Sequence, residues 1–280
     1  MKLAPSREGP APARSFASRD ILTMSNVSMV YDSQGAAPVV ALENFNLSIA
    51  ENQLVSLIGP SGCGKSTALS VMAGLLEPTA GDVRINGHDP SKARRAREIG
   101  MVFQQPVLLP WRTIEENCGL LLEIAGQWGK AAKARVREIL ELVDLSDFAA
   151  SYPHQLSGGM RQRASIARAL CLDPVILMMD EPFGALDEFT RHGMNVELLN
   201  IWGRSRKTIV FITHSVAEAV FLSDRVIAMS PRPGRIVADV GIDLPRPRSG
   251  EVRYTPEFNG YVVHLQRLLE PKAARPELLA

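Results

Sequence analysis

The sequence predicts an α/β fold with a mixed sheet, an antiparallel β subdomain ahead of it and an α-helical subdomain inserted into it. Three observations predict this. Residues 59–67, Gly-Pro-Ser-Gly-Cys-Gly-Lys-Ser-Thr, carry the spacing G-x-x-x-x-G-K-[ST] between a short apolar run and a helical stretch. Apolar runs at 99–103, 175–179 and 208–213 end on polar residues, as buried strands do at the sheet edge where α/β proteins bind ligands. Between the first two of these runs, residues 112–150 turn to helical periodicity.

Composition narrows the classes. A chain of 280 residues holds one large α/β domain or two small ones. A formal net charge of +1 offers no electrostatic case for nucleic acid as a partner. Cys63, Cys118 and Cys171 are odd in number and scattered, which reads as reduced thiols. The five histidines are too dispersed for a metal cluster. No apolar run reaches the about 18 residues that span a bilayer. Residues 1–20 are rich in Pro, Ala, Arg and Ser and lack the apolar segment of a secretory signal, so they read as a disordered tail. Residues 21–245 read as the main domain, with helices over about 112–160, and 246–280 as a C-terminal helical extension.

In chain order, Ile21 to Tyr31 predicts an edge strand and Val39 to Ile49 a second strand pair, turning at 50–53 into the strand Leu54 to Ile58. The loop that follows makes this a P-loop NTPase core. Gly59, Gly62 and Gly64 let backbone N–H groups face a phosphate chain, with Pro60, Ser61 and Cys63 between them. The helix starting near Lys65 adds its positive end. Lys65 can reach terminal phosphates, the Ser66 hydroxyl can ligate Mg²⁺, and Thr67 closes the motif. Tyr31 either stacks on a base or fills a strand face; the residues alone leave both open.

Gly81 to Gly87 predicts a short strand, and Arg94-Arg95-Ala96-Arg97 a solvated helix face or loop. Ile99 to Gln104 predicts a strand ending on an amide. Ile114, Leu120, Leu121 and Ile124 suggest one helix, and Val136, Ile139, Leu140 and Val143 a second. Ser157-Gly158-Gly159 is an N-cap with two glycines, a second anion-binding device in one chain. One nucleotide does not need two, unless two chains share it. Val175 to Met179 runs into Asp180 and Glu181. Asp180 suits a Mg²⁺ role, and Glu181, pointing the other way if the strand continues, suits a general base. Thr208 to Thr213 ends on His214. Val226 to Met229 and Arg235 to Val240 predict a closing hairpin. Phe258, Tyr261, Val262, Leu265, Leu268 and Leu269 make an amphipathic stripe that packs on the domain or on a partner chain.

Taken together, GPSGCGKST, Gln104, LSGGM, LMMDEP, Ala185-Leu186-Asp187 and His214 resemble, in order, the motifs of the ATP-binding cassette (ABC) transporter ATPases. The likeness spans roughly residues 22–240. Leu108-Leu109-Pro110-Trp111, LSGGMRQR, Ser230-Pro231-Arg232-Pro233-Gly234-Arg235 and Leu244-Pro245-Arg246-Pro247-Arg248 resemble the nitrate, sulfonate and taurine importer group; cassettes for pyrimidine precursors share these features. The resemblance implies an ABC nucleotide-binding domain that binds ATP and Mg²⁺ at the cytoplasmic face of the inner membrane. Its implied partners are a second copy paired head to tail, membrane permease subunits and, indirectly, a substrate-binding protein. Tyr31 would stack on adenine, and Ser157-Gly158-Gly159 would close on the partner's ATP. Gln104 would meet Mg²⁺ and the attacking water, Glu181 would polarise that water, His214 would hold the γ-phosphate and Asp187 would touch the partner chain. Met160 stands where glutamine is commoner in the family, and Ser215 where many members have aspartate, which predicts a looser loop there. A soluble ABC protein acting on ribosomes or DNA, and a separate exporter ATPase, are the competing readings.

Overall fold

A computed structural model of the chain describes residues 19–32 and 37–270. The expected tail before Arg19 and the end of the expected extension lie outside the described residues. The first part of the chain forms β1 (Asp20–Tyr31), β2 (Val39–Ala50), β3 (Leu54–Ile58), α1 (Lys65–Met72), β4 (Ala80–Ile85), α2 (Pro90–Arg95) and β5 (Ile99–Val102). Then come α3 (Ile114–Ile124), α4 (Lys130–Leu142), α5 (Gly158–Leu170), β6 (Ile176–Asp180), α6 (Glu188–Ser205), β7 (Thr208–Ile212) and α7 (Val216–Leu222). The chain closes with β8 (Arg225–Met229), β9 (Ile236–Gly241) and α8 (Pro256–Leu269).

The strands form two sheets. The larger is mixed, in the order β5-β6-β7-β3-β8-β9. Its first five strands are parallel, and β9 turns back antiparallel on β8. Every residue of β3 and β7 is buried, which explains their largely apolar composition. Alternation along the strands divides the core. Leu57, Met178, Val210 and Ile227 face a cluster with β1, β2 and α1, whereas Ile58, Met179, Phe211 and Ala228 face the cluster that includes α3 to α8.

The smaller sheet is antiparallel, in the order β2-β1-β4. Two expectations need correction here. β1 is the central strand and not an edge, because β4 returns from beyond α1 to pair with its free side. Alternation within one strand carries no record of so distant a partner. Val39–Ala50 is a single strand and not a pair; Asn44, at a φ of 47°, absorbs an irregularity without ending it.

The inserted helices show how periodicity succeeds and fails. Val136, Ile139, Leu140 and Val143 are all buried. In α3, Ile114, Cys118 and Leu122 make the buried face, whereas Ile124 is 74% exposed. Apolar residues around the helix obscured which stripe faces inward. The basic run lies on and just after α2 and is largely exposed, as expected. The stripe on α8 packs on the domain itself, through buried Phe258 and Leu265. The proline-arginine segment before α8 is a staple: buried Arg248 donates hydrogen bonds to the carbonyls of Val220, Phe221 and Ser223 at the end of α7, and to those of Ile242 and Leu244.

Candidate active site

The parallel strands deliver their C-terminal ends to one edge of the large sheet. β3 there becomes the P-loop, β7 beside it leads to His214, and β6 beyond that ends on Asp180. A cleft of about 460 Å³ lies over this edge. Tyr31, Val39 and Ala41 wall one side, Ser61, Gly62 and Gly64 to Thr67 the floor, and Glu181 and Arg232 the rest.

The P-loop takes its shape from close packing. Gly64 caps α1 in the left-handed region at a φ of 106°, and a Cβ there would lie 2.8 Å from the Ala41 carbonyl oxygen. No side chain caps this helix, so its first-turn N–H groups stay available to an anion. Lys65 is buried, its Nζ donating to the carbonyls of Gly59 at 2.9 Å and Pro60 at 3.1 Å. Cys63 is buried beside Gly59. The Tyr31 hydroxyl lies 3.4 Å from Thr67 Oγ1, and its partly exposed ring faces the cleft rather than filling the sheet.

Ser66 Oγ donates to Asp180 Oδ1 at 3.2 Å. Burial pushes the Asp180 carboxyl above the usual carboxylate range, the Ser66 hydroxyl pulls it down, and neighbouring Glu181 raises it further. A hydroxyl and a carboxylate this close are the oxygen donors a hard cation takes, so the residues present fit Mg²⁺.

The strand does not continue through Glu181. That residue sits in the left-handed region at a φ of 45°, its N–H donating to the Ile212 carbonyl at 3.1 Å. This turn brings Glu181 Oε2 to 3.4 Å from His214 Nδ1. Ser215 caps α7, its Oγ accepting from Glu218 N at 3.3 Å and its N–H donating to Thr213 Oγ1 at 3.0 Å. It thus does the capping work of an aspartate at this loop. β5 stops at Val102, so Gln104 stands two residues past the strand, in an exposed bend. Its amide lies against Gly184, where a Cβ would come within 3.0 Å of Nε2.

Ser157, Gly158, Gly159 and Asp187 gather elsewhere and do not line the cleft. Ser157 caps α5, its Oγ accepting from Met160 N. Asp187 caps α6 through Thr190, whose hydroxyl bond also holds the Asp187 carboxyl below its usual range. The starts of the two helices touch: a Cβ on Gly159 would lie 3.3 Å from Thr190 Cγ2.

Three residues that sequence reasoning passed over help build the site. Gln162 Nε2 donates to the Phe103 carbonyl at 3.1 Å, and Arg168 donates to the carbonyls of Val107 and Pro106. Both stand on α5 and hold the Gln104 loop. Arg232 enters the cleft from the turn before β9. Its motif was visible in the sequence, but its nearness to the P-loop was not.

A family profile described as "ABC transporter" matches residues 42–184. The taurine import ATP-binding protein of Rhizobium johnstonii is 44% identical over 226 residues, 81% of this chain and 86% of the relative. An aliphatic sulfonates import ATP-binding protein of Bacillus cereus is 44% identical over 219 residues, 78% of this chain and 85% of the relative. Among solved structures, a dimeric ATP-binding cassette in a post-hydrolysis state, bound to ADP and Pi, superposes with a TM-score of 0.68 at 34% identity, covering 80% of this chain and all of that one.

Proposed function

This chain belongs to the ABC transporter family, and from that premise we propose that its ATPase activity drives uptake of taurine or an aliphatic sulfonate through a separate membrane permease. The observation that carries the ATPase reading is the pairing at one sheet edge of Ser66 with Asp180 and of Glu181 with His214, beside the P-loop. The named import relatives support the substrate class.

In this reading ATP lies in the cleft with its base against Tyr31 and its phosphates over residues 59–67. Ser66, Asp180 and Gln104 would hold Mg²⁺, which would offset charge on the terminal phosphates. Glu181 accepts the proton of the attacking water, and His214 orients the carboxylate and the γ-phosphate. Ser157 to Gly159, remote from their own cleft, close on the ATP of a second copy, with Asp187 at the same junction; the dimeric relative supports this arrangement. The working unit is residues 21–245, with the helical part at about 112–160 and residues 246–280 as an extension. Among the described residues no helix is long and apolar enough to cross a membrane. We place the chain at the cytoplasmic face of the inner membrane, on a permease served by a substrate-binding protein.

A deletion strain grown on taurine or alkanesulfonates as sole sulfur source tests the substrate. Growth on at least one should fail, return with the intact gene and stay absent with its Lys65→Ala form. Normal growth of the deletion strain on all of them would sink the substrate assignment.

A further inference from the structure

Arg232 belongs to a turn that no nucleotide-binding role has yet absorbed. The turn is held rigidly. Ser230 Oγ donates to the Pro233 carbonyl at 2.8 Å and accepts from Arg235 N at 3.0 Å. Gly234 N donates to the Ala41 carbonyl at 3.0 Å, and its carbonyl accepts from Glu43 N at 3.1 Å. A Cβ on Gly234 would come within 2.2 Å of the Cys63 carbonyl oxygen, so the turn lies directly on the P-loop. The turn lies beyond residues 42–184, the span that the family profile matches.

Two cations line the cleft among the described residues, Lys65 and Arg232. Lys65 is buried on its own loop's carbonyls. Arg232 is exposed, and its Nε and Nη2 both donate to the Gly62 carbonyl, at 3.3 and 3.2 Å. Among the described residues it has no acidic partner, whereas its neighbour Arg235 pairs with Glu43 at 2.6 Å. A guanidinium aimed by a P-loop carbonyl and left without a counter-charge is matched to an anion lying on that loop.

We propose that Arg232 is a nucleotide-binding residue whose guanidinium contacts the phosphate chain of ATP held in its own cleft. This rests on the cleft being the ATP site. The proposal concerns charge, and it separates from a loop-shaping role by substitution. Arg232→Lys keeps the charge. Arg232→Gln keeps a donor for the Gly62 carbonyl and loses the charge.

The test is displacement of a fluorescent ATP analogue from the full chain by ATP, ADP and adenosine, with ATPase kinetics alongside. Arg232→Ala and Arg232→Gln should weaken ATP about tenfold, the worth of one charge-assisted contact, and adenosine hardly at all. Arg232→Lys should stay nearer the intact chain, and in the neutral variants KM should rise more than kcat falls. The proposal is overturned if Gln retains affinity better than Lys, or if adenosine weakens as much as ATP. Undiminished ATP binding by Lys65→Ala together with every Arg232 variant would remove the cleft as the ATP site, and this proposal with it.

Discussion

Replacing Glu181 by glutamine lowers steady-state ATP hydrolysis about 10²–10⁴-fold, the usual worth of a positioned general base, and leaves an ATP-loaded dimer that accumulates. Phosphate release at saturating ATP, and the eluted size of the protein with and without ATP, read both effects. The substitution isolates chemistry from fold. Glutamine keeps the shape of the side chain and the backbone bond from residue 181 to the Ile212 carbonyl. The left-handed backbone at Glu181 stores strain of about 1–3 kcal/mol, which both residues bear alike. The expected rate loss corresponds to about 3–5 kcal/mol at the transition state, so it exceeds anything a small readjustment of this turn would cause. His214, with Nδ1 at 3.4 Å from the carboxylate, loses its charged neighbour in the same substitution. Hydrolysis at the intact rate would mean that the base lies elsewhere.

The strained turn at Glu181 also marks where the sequence stopped being readable. Asp180 is legible because five apolar residues before it can only be a buried strand, and a carboxylate ending such a strand has few other uses. Glu181 is legible as a carboxylate beside it, but its backbone turn is not, because a non-glycine residue at positive φ has no local signature. The same contrast holds across the molecule. The P-loop, the Ser157 cap and the face of α4 are written in neighbouring residues. The central place of β1 depends on β4, and the hold of Gln162 and Arg168 on the Gln104 loop depends on α5 packing beside β5. Both depend on contacts between segments remote in the chain. Arg232 is the sharpest instance: its bonds to Gly62 join residues 170 positions apart. The candidate site was therefore legible as a set of parts, with Ser157 to Gly159 already read as a second device apart from the P-loop, while the contacts that set those parts in place were not.

Arg248→Ala is expected to be the most destabilising single change in the C-terminal segment. Arg248 is 5% exposed, and its guanidinium satisfies five carbonyls, three of them at the C-terminal end of α7. Removing it strands those acceptors and opens a cavity, at a cost of about 3 kcal/mol. For a chain of this size that lowers the melting temperature by about 5 °C. Burial brings the Arg248 pKa down to about 10, still well above neutral, so the group is charged wherever the protein is assayed near pH 7. An exposed pair makes the control: Arg84→Ala, which breaks the bridge to Asp82 on the surface, should shift the melting temperature hardly at all. The consequence reaches the active site. Arg246, two residues before Arg248, holds Asp224 Oδ1 at 2.8 Å and stacks on Trp202, while Asp224 Oδ2 accepts the N–H of Leu54, the first residue of the P-loop strand. The staple thus fixes the start of β3 as well as the end of α7. Loosening it should cost nucleotide affinity in step with stability. A calorimetric scan of Arg248→Ala that matched the intact chain would show that the proline-arginine segment rests on the domain without holding it.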